Sequence, residues 1–80
     1  MFNKFSYMFI CDLKQNSIGK IIKIDGEKSI LIKLSSMGIC KNTIFSMFKN
    51  NFKGTVILDI DSNKIILGRG LSKKILVEIL

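Results

Sequence analysis

Residues 26–42 read GEKSILIKLSSMGICKN, and this stretch decides the fold because it contains the one convincing helix of the sequence. Asp25 is placed to cap the helix start, and Glu27 lies in the first turn, where a negative charge suits the helix dipole. Gly38 stands where a residue with left-handed backbone ends a helix. Apolar residues recur at helical spacing and predict one buried face: Ile30, Leu31, Leu34 and Met37.

The rest of the sequence is typical of short strands rich in isoleucine, whose branched side chain favours extended backbone. The cleanest pattern lies in 55–61, where Val56, Leu58 and Ile60 share one face. Segment 19–25 alternates poorly, which indicates either a β-bulge or two partly buried faces. We expect five strands in all: 19–25, 43–49, 55–61, 64–68 and 76–79.

Turn-forming residues separate these strands. Asn42 adopts a positive φ with less strain than most residues, so 41–42 is expected to form a tight turn. A hairpin is expected at 61–63, and 71–74 has room for one helical turn. Five short, bent strands favour a mainly β fold, a small and partly open barrel with one inserted α-helix and a short C-terminal helical turn.

The 80 residues are expected to form a single domain, 1–80, with a lead-in at 1–12 and a barrel core at 13–80. The charge balance is basic, with 13 Lys and Arg against 6 Asp and Glu and a net charge of +7. The lysines are spread along the chain, and Arg69 is the sole arginine, although arginine is preferred for phosphate and guanine contacts. We therefore interpret the charge as a solvated basic surface, with a nucleic-acid site as the alternative.

The N-terminus and the cysteines indicate where in the cell the protein is expected. The longest unbroken apolar run, 7–11, is too short for a transmembrane helix, and no secretory signal is visible. Cys11 and Cys40 form no CxxC pair, so we expect two free thiols in a cytoplasmic protein. The lead-in has room for a turn of helix at 6–10, and its apolar residues are expected to cover the core edge or a partner: Phe2, Phe5, Met8 and Phe9.

The sequence contains no recognisable catalytic or metal-binding pattern. Histidine, the usual general base near neutral pH, is absent. Asp59 and Asp61 share a strand face, but two carboxylates alone are more typical of a solvated face than of a cation site. Cys11 and Cys40 are too few for a closed metal site. We therefore predict no catalytic residue, no cofactor and no metal site, and a protein that is not an enzyme.

Two further residues have more than one interpretation. Phe52, in the loop 50–54, is either a plug on the barrel end or an exposed anchor, and the usual burial of aromatic area favours the plug. Gly68 and Gly70 lack the Walker pattern of a phosphate loop and are interpreted as turn glycines. Arg69, between them, is expected to bond carbonyls near the last strand or to meet a partner's carboxylate.

The order of these features resembles the FeoA family, the small cytoplasmic proteins of bacterial ferrous-iron uptake. The resemblance covers roughly 13–80, and its most specific part is the helix end, where the family tends to have Leu-Gly-Ile followed by a second glycine. Here Met37 replaces the leucine and Asn42 replaces the second glycine. The other shared features are a glycine before an Ile-rich strand, the Phe52 to Gly54 loop, a hairpin, and a terminal segment with Arg69, Ser72 and Ile75-Leu76-Val77.

This resemblance implies an SH3-like β-barrel with a helix inserted after the first strand, and an accessory of FeoB, the large membrane transporter of ferrous iron. The implied mechanism is non-catalytic docking to the transporter. We name four partner-binding candidates from the helix end, the loop and the terminal segment: Met37, Ile39, Phe52 and Arg69. For Met37 and Ile39 the alternative is a core position. Homo-oligomerisation and the direction of regulation stay open.

Two other functions are alternatives. A small basic barrel that binds nucleic acid fits the charge of +7 and the aromatic residues, and its affinity is expected to fall steeply with salt. A regulatory module like the SH3-like domains of metal-dependent repressors ranks last, because we expect no DNA-binding domain on this chain.

Overall fold

An antiparallel sheet and one short helix make up most of the structure, a computed structural model that describes residues 7–80. The elements, in chain order, are β1 (Tyr7–Phe9), a 3₁₀ turn (Ile10–Asp12), β2 (Ile18–Ile24), α1 (Lys28–Ser36), β3 (Ile44–Asn50), β4 (Val56–Ile60), β5 (Asn63–Leu67), α2 (Arg69–Ser72) and β6 (Ile75–Ile79). The strands lie in the order β1-β6-β2-β3-β4-β5, and each neighbouring pair is antiparallel. The predicted mainly β class, with an inserted helix and a short C-terminal helical turn, is confirmed.

The sheet has six strands where about five were expected, because 7–9 of the predicted lead-in pairs with β6. The turn of helix considered at 6–10 does not form at 7–9, because the backbone there is extended and pairs with β6. A 3₁₀ turn follows at Ile10–Asp12. Met8 packs against the core, whereas Phe9 is exposed. Phe2 and Phe5, expected to cover the core edge or a partner, lie outside the described residues.

A single set of buried apolar side chains forms the core, to which the strands, the 3₁₀ turn and α1 all contribute. Val56, Leu58 and Ile60 of β4 are all buried, as their alternation predicted. Of the two alternatives for the first predicted strand, the bulge is present: the register of β2 shifts at 21–23, and that of β3 shifts at 47–49. The buried apolar residues are Ile10, Leu13, Ile21, Leu34, Ile39, Phe45, Met47, Val56, Leu58, Ile60, Leu67, Ile75 and Val77.

The start of α1 differs from the prediction. Glu27 is the N-cap residue, one position before the first turn, and its side chain makes no capping hydrogen bond. The prediction that Asp25 caps the helix is wrong, because the backbone N–H of Asp25 is still bound to the carbonyl of Lys74, at 2.7 Å. The chain needs Gly26 and Glu27 to leave the sheet before a helix can begin.

The buried face of α1 is narrower than predicted. Leu34 is fully buried, with Ile30 and Met37 packed beside it at a spacing of one and two turns. Leu31 lies beside this stripe and stays 39% exposed, so its assignment to the buried face is wrong. Leu31 therefore presents an apolar side chain that the core does not cover.

The predicted helix end is confirmed, and its geometry is that of a Schellman motif. Gly38 has φ 86°, and its N–H donates to the carbonyl of Ser35 at 2.9 Å. The N–H of Ile39 donates to the carbonyl of Leu34, also at 2.9 Å. Because Leu34 and Ile39 are both buried, the motif also provides the apolar contact that usually accompanies it.

Replacing Gly38 by alanine is expected to lower the free energy of unfolding by roughly 1 kcal/mol, because a Cβ is strained in left-handed backbone. A Cβ at Gly38 meets no atom, so the effect isolates backbone conformation from packing. Gly54→Ala is the matched control: it is equally unobstructed and has no positive φ, so it should be neutral or slightly stabilising. Urea unfolding of both variants checks this, and equal midpoints would contradict it.

The remaining turns are partly as predicted. Asn42 has φ 75°, which confirms its role in the tight turn. Asp61 and Ser62 also have positive φ and join β4 to β5, which confirms the hairpin. The prediction of turn glycines at Gly68 and Gly70 is wrong. Gly68 has φ −67° as the N-cap residue of α2, and Gly70 lies inside that helix.

Candidate functional site

A groove of about 700 Å³ runs beside α1, between the helix and β2. We call it the helix groove. Its apolar wall comes from both elements, and the charged residues that line it within residues 7–80 are lysines. The lining residues are Ile22, Lys23, Ile24, Leu31, Ser35, Ile39, Cys40 and Lys41. The result is an apolar trough with a basic rim.

Leu31 and Cys40 are exposed residues of this groove, and they can be probed by substitution and by thiol labelling. Leu31 is the helix residue that the core leaves uncovered. The Cys40 sulfur lies 3.7 Å from the Ser35 hydroxyl, and Cys40 is a free thiol. Lys23 comes from β2 and Lys41 from the turn after the helix, so three separate segments build the groove.

The two helix-end candidates, Met37 and Ile39, lie in different surroundings. Ile39 is fully buried, so the core alternative describes its packing, although it forms part of the floor of the helix groove. Met37 is half-buried and packs on the core. It also lines a second groove, of about 680 Å³, together with Gly38, Asn42, Thr43, Ile44, Ile60, Asp61, Asn63 and Ile65. The end of α1 therefore separates two grooves.

Phe52 does not plug the barrel, so the favoured interpretation from the sequence is wrong. Its side chain is 51% exposed, and its backbone has a positive φ of 63°. The buried side chain at this end of β3 is instead that of Asn50. This is the exposed-anchor alternative for Phe52.

Arg69 and Phe52 are brought together by the fold. The Arg69 Nη1 donates a hydrogen bond to the carbonyl oxygen of Phe52 at 3.2 Å. The expected carbonyl partner is therefore real, but it lies in the loop before β4 and not near the last strand. The carbonyl of Arg69 in turn accepts a hydrogen bond from the Ser72 hydroxyl at 3.0 Å.

Sequence reasoning missed Asn50. Its Nδ2 donates to the carbonyls of Cys11 and Leu13, at 2.9 and 2.8 Å, and its Oδ1 accepts from the Phe52 N–H at 2.8 Å. The side chain thus joins the loop after β3 to the 3₁₀ turn. The sequence around it, with a second asparagine following, indicates only a turn, so no local signal separates this buried asparagine from an exposed one.

The remaining candidates for chemistry have ordinary surroundings. Asp59 forms an ion pair with Lys64 at 2.8 Å on the outer face of the sheet. Burial and the neighbouring Asp12 carboxylate raise the pKa of the Cys11 thiol. Within residues 7–80, no three His, Cys, Asp or Glu side chains cluster closely enough to hold a metal ion. None of the helices in this part of the chain is long and apolar enough to cross a membrane.

Comparisons with known proteins agree with this fold. The FeoA domain family matches residues 8–79. The crystal structure of an iron uptake regulatory protein (FeoA) is 20% identical, with a TM-score of 0.87, over 92% of this chain and 99% of the other. A FeoA-like protein from Clostridium acetobutylicum is 25% identical, with a TM-score of 0.78, over 94% and 88%.

A further similar structure is a manganese-dependent transcriptional repressor, 21% identical with a TM-score of 0.82. The match covers 92% of this chain but 42% of the repressor, so one domain of that protein shares the fold. No curated protein matches the sequence.

Proposed function

This chain belongs to the FeoA domain family, and from that premise we propose that it is a non-catalytic accessory of ferrous iron transport that binds an FeoB-like membrane transporter. Membership of the family associates the chain with ferrous iron transport and with a small SH3-like accessory domain. The finer proposal is direct docking to the cytoplasmic part of the transporter, which places this protein in the cytoplasm.

The helix groove is the observation that carries the docking proposal. Leu31 leaves an apolar side chain uncovered beside a trough whose lining charges, in the described chain, belong to Lys23 and Lys41. An apolar segment with acidic flanks is the complementary occupant, since its apolar residues gain burial and its carboxylates meet the lysine rim. We propose such a segment in the cytoplasmic part of the transporter.

The four candidates named from the sequence divide among three surfaces in this proposal. Ile39 supports the floor of the helix groove from below, and Met37 forms the side of the helix end that faces the second groove. Phe52 lies in the loop after β3, and Arg69 in α2 donates to its carbonyl; we assign this loop a separate contact below.

Nucleic-acid binding is the competing class, and one contact weakens it. Lys64 Nζ lies 4.7 Å from the centroid of the Phe48 ring, so at this residue it covers one of the ring faces on which a base could stack. Titration with an RNA or DNA oligonucleotide at several salt concentrations tests the alternative. Tight binding at physiological salt would count against the docking proposal.

Replacing Leu31 by serine is expected to weaken binding to the transporter's isolated cytoplasmic domain about tenfold, the usual loss when a central apolar contact is removed. The neighbouring Ile32→Ser is the matched control, because Ile32 is 60% exposed on the same helix and does not line the groove. Calorimetric titration, with and without guanine nucleotide, gives both affinities. Equal losses in the two variants, or no binding by the unmodified protein, would overturn the proposal.

The two native thiols provide an independent map of the same contact. Cys40 lines the groove, whereas Cys11 does not and has a raised pKa, so it should react more slowly with an alkylating reagent. The bound transporter domain should slow alkylation of Cys40 and leave the rate at Cys11 unchanged. Equal protection at both thiols would indicate a contact elsewhere.

A further inference from the structure

The loop after β3 holds an aromatic side chain in solvent on a strained backbone. We define the Phe52 loop as residues 50–54. Phe52 has the left-handed φ of 63° that side chains rarely adopt, yet its ring is half exposed and fills no space in the core. Strain of this kind is retained where the surrounding structure imposes it, and it concentrates at functional positions.

Side-chain hydrogen bonds impose the conformation of this loop. Asn50 accepts from the Phe52 N–H at 2.8 Å, and Arg69 donates to the Phe52 carbonyl at 3.2 Å. The Asn51 Oδ1 accepts from the N–H groups of Lys53 and Gly54, at 3.0 and 3.3 Å. Phe52 is therefore held ready for contact, and little ordering entropy remains to be lost on binding.

Along the chain, the charges of the loop and its flanks have one sign; across the fold, the 3₁₀ turn that Asn50 binds contributes the carboxylate of Asp12. The sequence from 46 to 58 contains Lys49 and Lys53 and no acidic residue. Arg69 adds a third cation at the base of the loop. The next acidic residue along the chain, Asp59, is already paired with Lys64.

Exposed aliphatic area adjoins the loop on the outer face of the sheet. The strand register places Lys49, Ile57 and Ile66 in one row across β3, β4 and β5, and Asn50, where the loop begins, follows directly. Ile66 is 62% exposed, and Phe48, turned outward by the bulge, is half exposed. The row therefore lies next to the start of the loop, and Lys49 is part of it.

We propose that the Phe52 loop binds the surface of an anionic phospholipid bilayer, with Phe52 inserted at headgroup level and Lys49 and Lys53 against the phosphates. Lysines beside an anionic leaflet and an aromatic ring at its interface are both favourable positions. The occupant is a lipid surface because the apolar residues stand out from a loop and a sheet face, and the charge around them suits a diffuse layer of phosphates. This proposal does not depend on the proposed docking to a transporter.

Vesicle binding tests the proposal without any transporter present. The unmodified protein should cosediment with vesicles of phosphatidylcholine and phosphatidylglycerol, and not with phosphatidylcholine alone, and added salt should release it. Phe52→Ser is expected to lower the partition coefficient about tenfold. Lys49→Gln with Lys53→Gln is expected to lower it roughly tenfold or more.

Matched controls come from α1, where the surface is also apolar and basic. Ile32→Ser removes an exposed apolar side chain, and Lys28→Gln with Lys33→Gln removes the same net charge. Both should leave the partition coefficient unchanged. If they lower it as much as the loop variants do, binding reflects net charge and general surface hydrophobicity, and the assignment to the loop is wrong.

A tryptophan probe reports the insertion itself, since the chain contains no tryptophan. The emission of Phe52→Trp should shift to shorter wavelength on anionic vesicles and be quenched by brominated lipid, whereas that of Ile32→Trp should not. Unchanged Phe52→Trp emission on vesicles that bind the protein would overturn the proposal. So would a Phe52→Ser variant that loses affinity for the transporter domain or an oligonucleotide while its vesicle binding is unaltered.

Discussion

Replacing Asn50 by alanine is expected to lower the free energy of unfolding by roughly 3 kcal/mol, because the cost of several unpaired buried groups adds up. The variant removes the donor that serves the carbonyls of Cys11 and Leu13, and the acceptor of the Phe52 N–H. In a domain of this size such a loss approaches the whole stability. Urea unfolding followed by circular dichroism measures it.

Asn51→Ala is the matched control for this prediction. The Asn51 Oδ1 also accepts two backbone hydrogen bonds, but at exposed positions where water replaces them, so we expect a loss below about 1 kcal/mol. Asn50→Asp keeps the shape of the side chain and loses the donor. Its loss of free energy of unfolding should shrink as the pH falls and the carboxyl becomes protonated. If Asn50→Ala and Asn51→Ala unfold at the same urea concentration, the proposed role of Asn50 is wrong.

Replacing Leu34 by alanine is expected to cost about 3 kcal/mol and to leave much of the protein unfolded at room temperature. Leu34 is the one fully buried side chain of α1, and truncation removes apolar contacts and leaves a cavity. Its carbonyl also accepts the N–H groups of Met37 and Ile39, at 3.0 and 2.9 Å. The substitution keeps this carbonyl but removes the apolar contact that accompanies the Schellman motif, so it should loosen the helix end as well as the core.

Ile32→Ala separates burial from helix propensity in this second prediction. It makes a similar truncation on the same helix, at a side chain that is largely exposed, and should change the free energy of unfolding by less than about 1 kcal/mol. Thermal and urea unfolding of the two variants give the comparison. A loss at Leu34 no larger than that at Ile32 would show that α1 contributes little to the core.

The elements that could be predicted from the sequence are those set by local rules. The alternation at Val56, Leu58 and Ile60 identifies β4 without knowledge of its neighbours. Gly38 and Asn42 mark positive φ because few residues adopt it. The FeoA resemblance, which is carried by the helix end, is confirmed over residues 8–79.

The predictions are wrong where contacts between distant parts of the chain determine the structure. The pattern of α1 allowed Leu31 to be buried, and only the placement of the helix on the sheet shows that Leu34 takes the core position while Leu31 faces a groove. Phe52 carries aromatic area that is usually buried, but the buried side chain at this end of β3 is that of Asn50, which bonds the carbonyls of Cys11 and Leu13. The same non-local pairing places 7–9 in the sheet.

The candidate site was predictable in part. The end of α1 was identified from its motif, and it does lie between the two grooves. The groove itself needs Lys23 from β2 and Lys41 from the following turn, and no spacing in the sequence brings these together. The hydrogen bond between Arg69 and Phe52 likewise joins residues whose proximity depends on the complete fold.

The place of β6 in the sheet constrains the order in which the molecule can assemble. β6 follows all other strands in the chain, yet it lies between β1 and β2 and is bonded to both. Within the described residues β1 has no other strand partner, so its pairing must close a loop of nearly the full chain length, which is slow. The β4–β5 hairpin needs only its two-residue turn. We therefore expect folding to start from the local hairpin, and the β1-β6-β2 side of the sheet to close last, because β6 is the last of these strands in the chain.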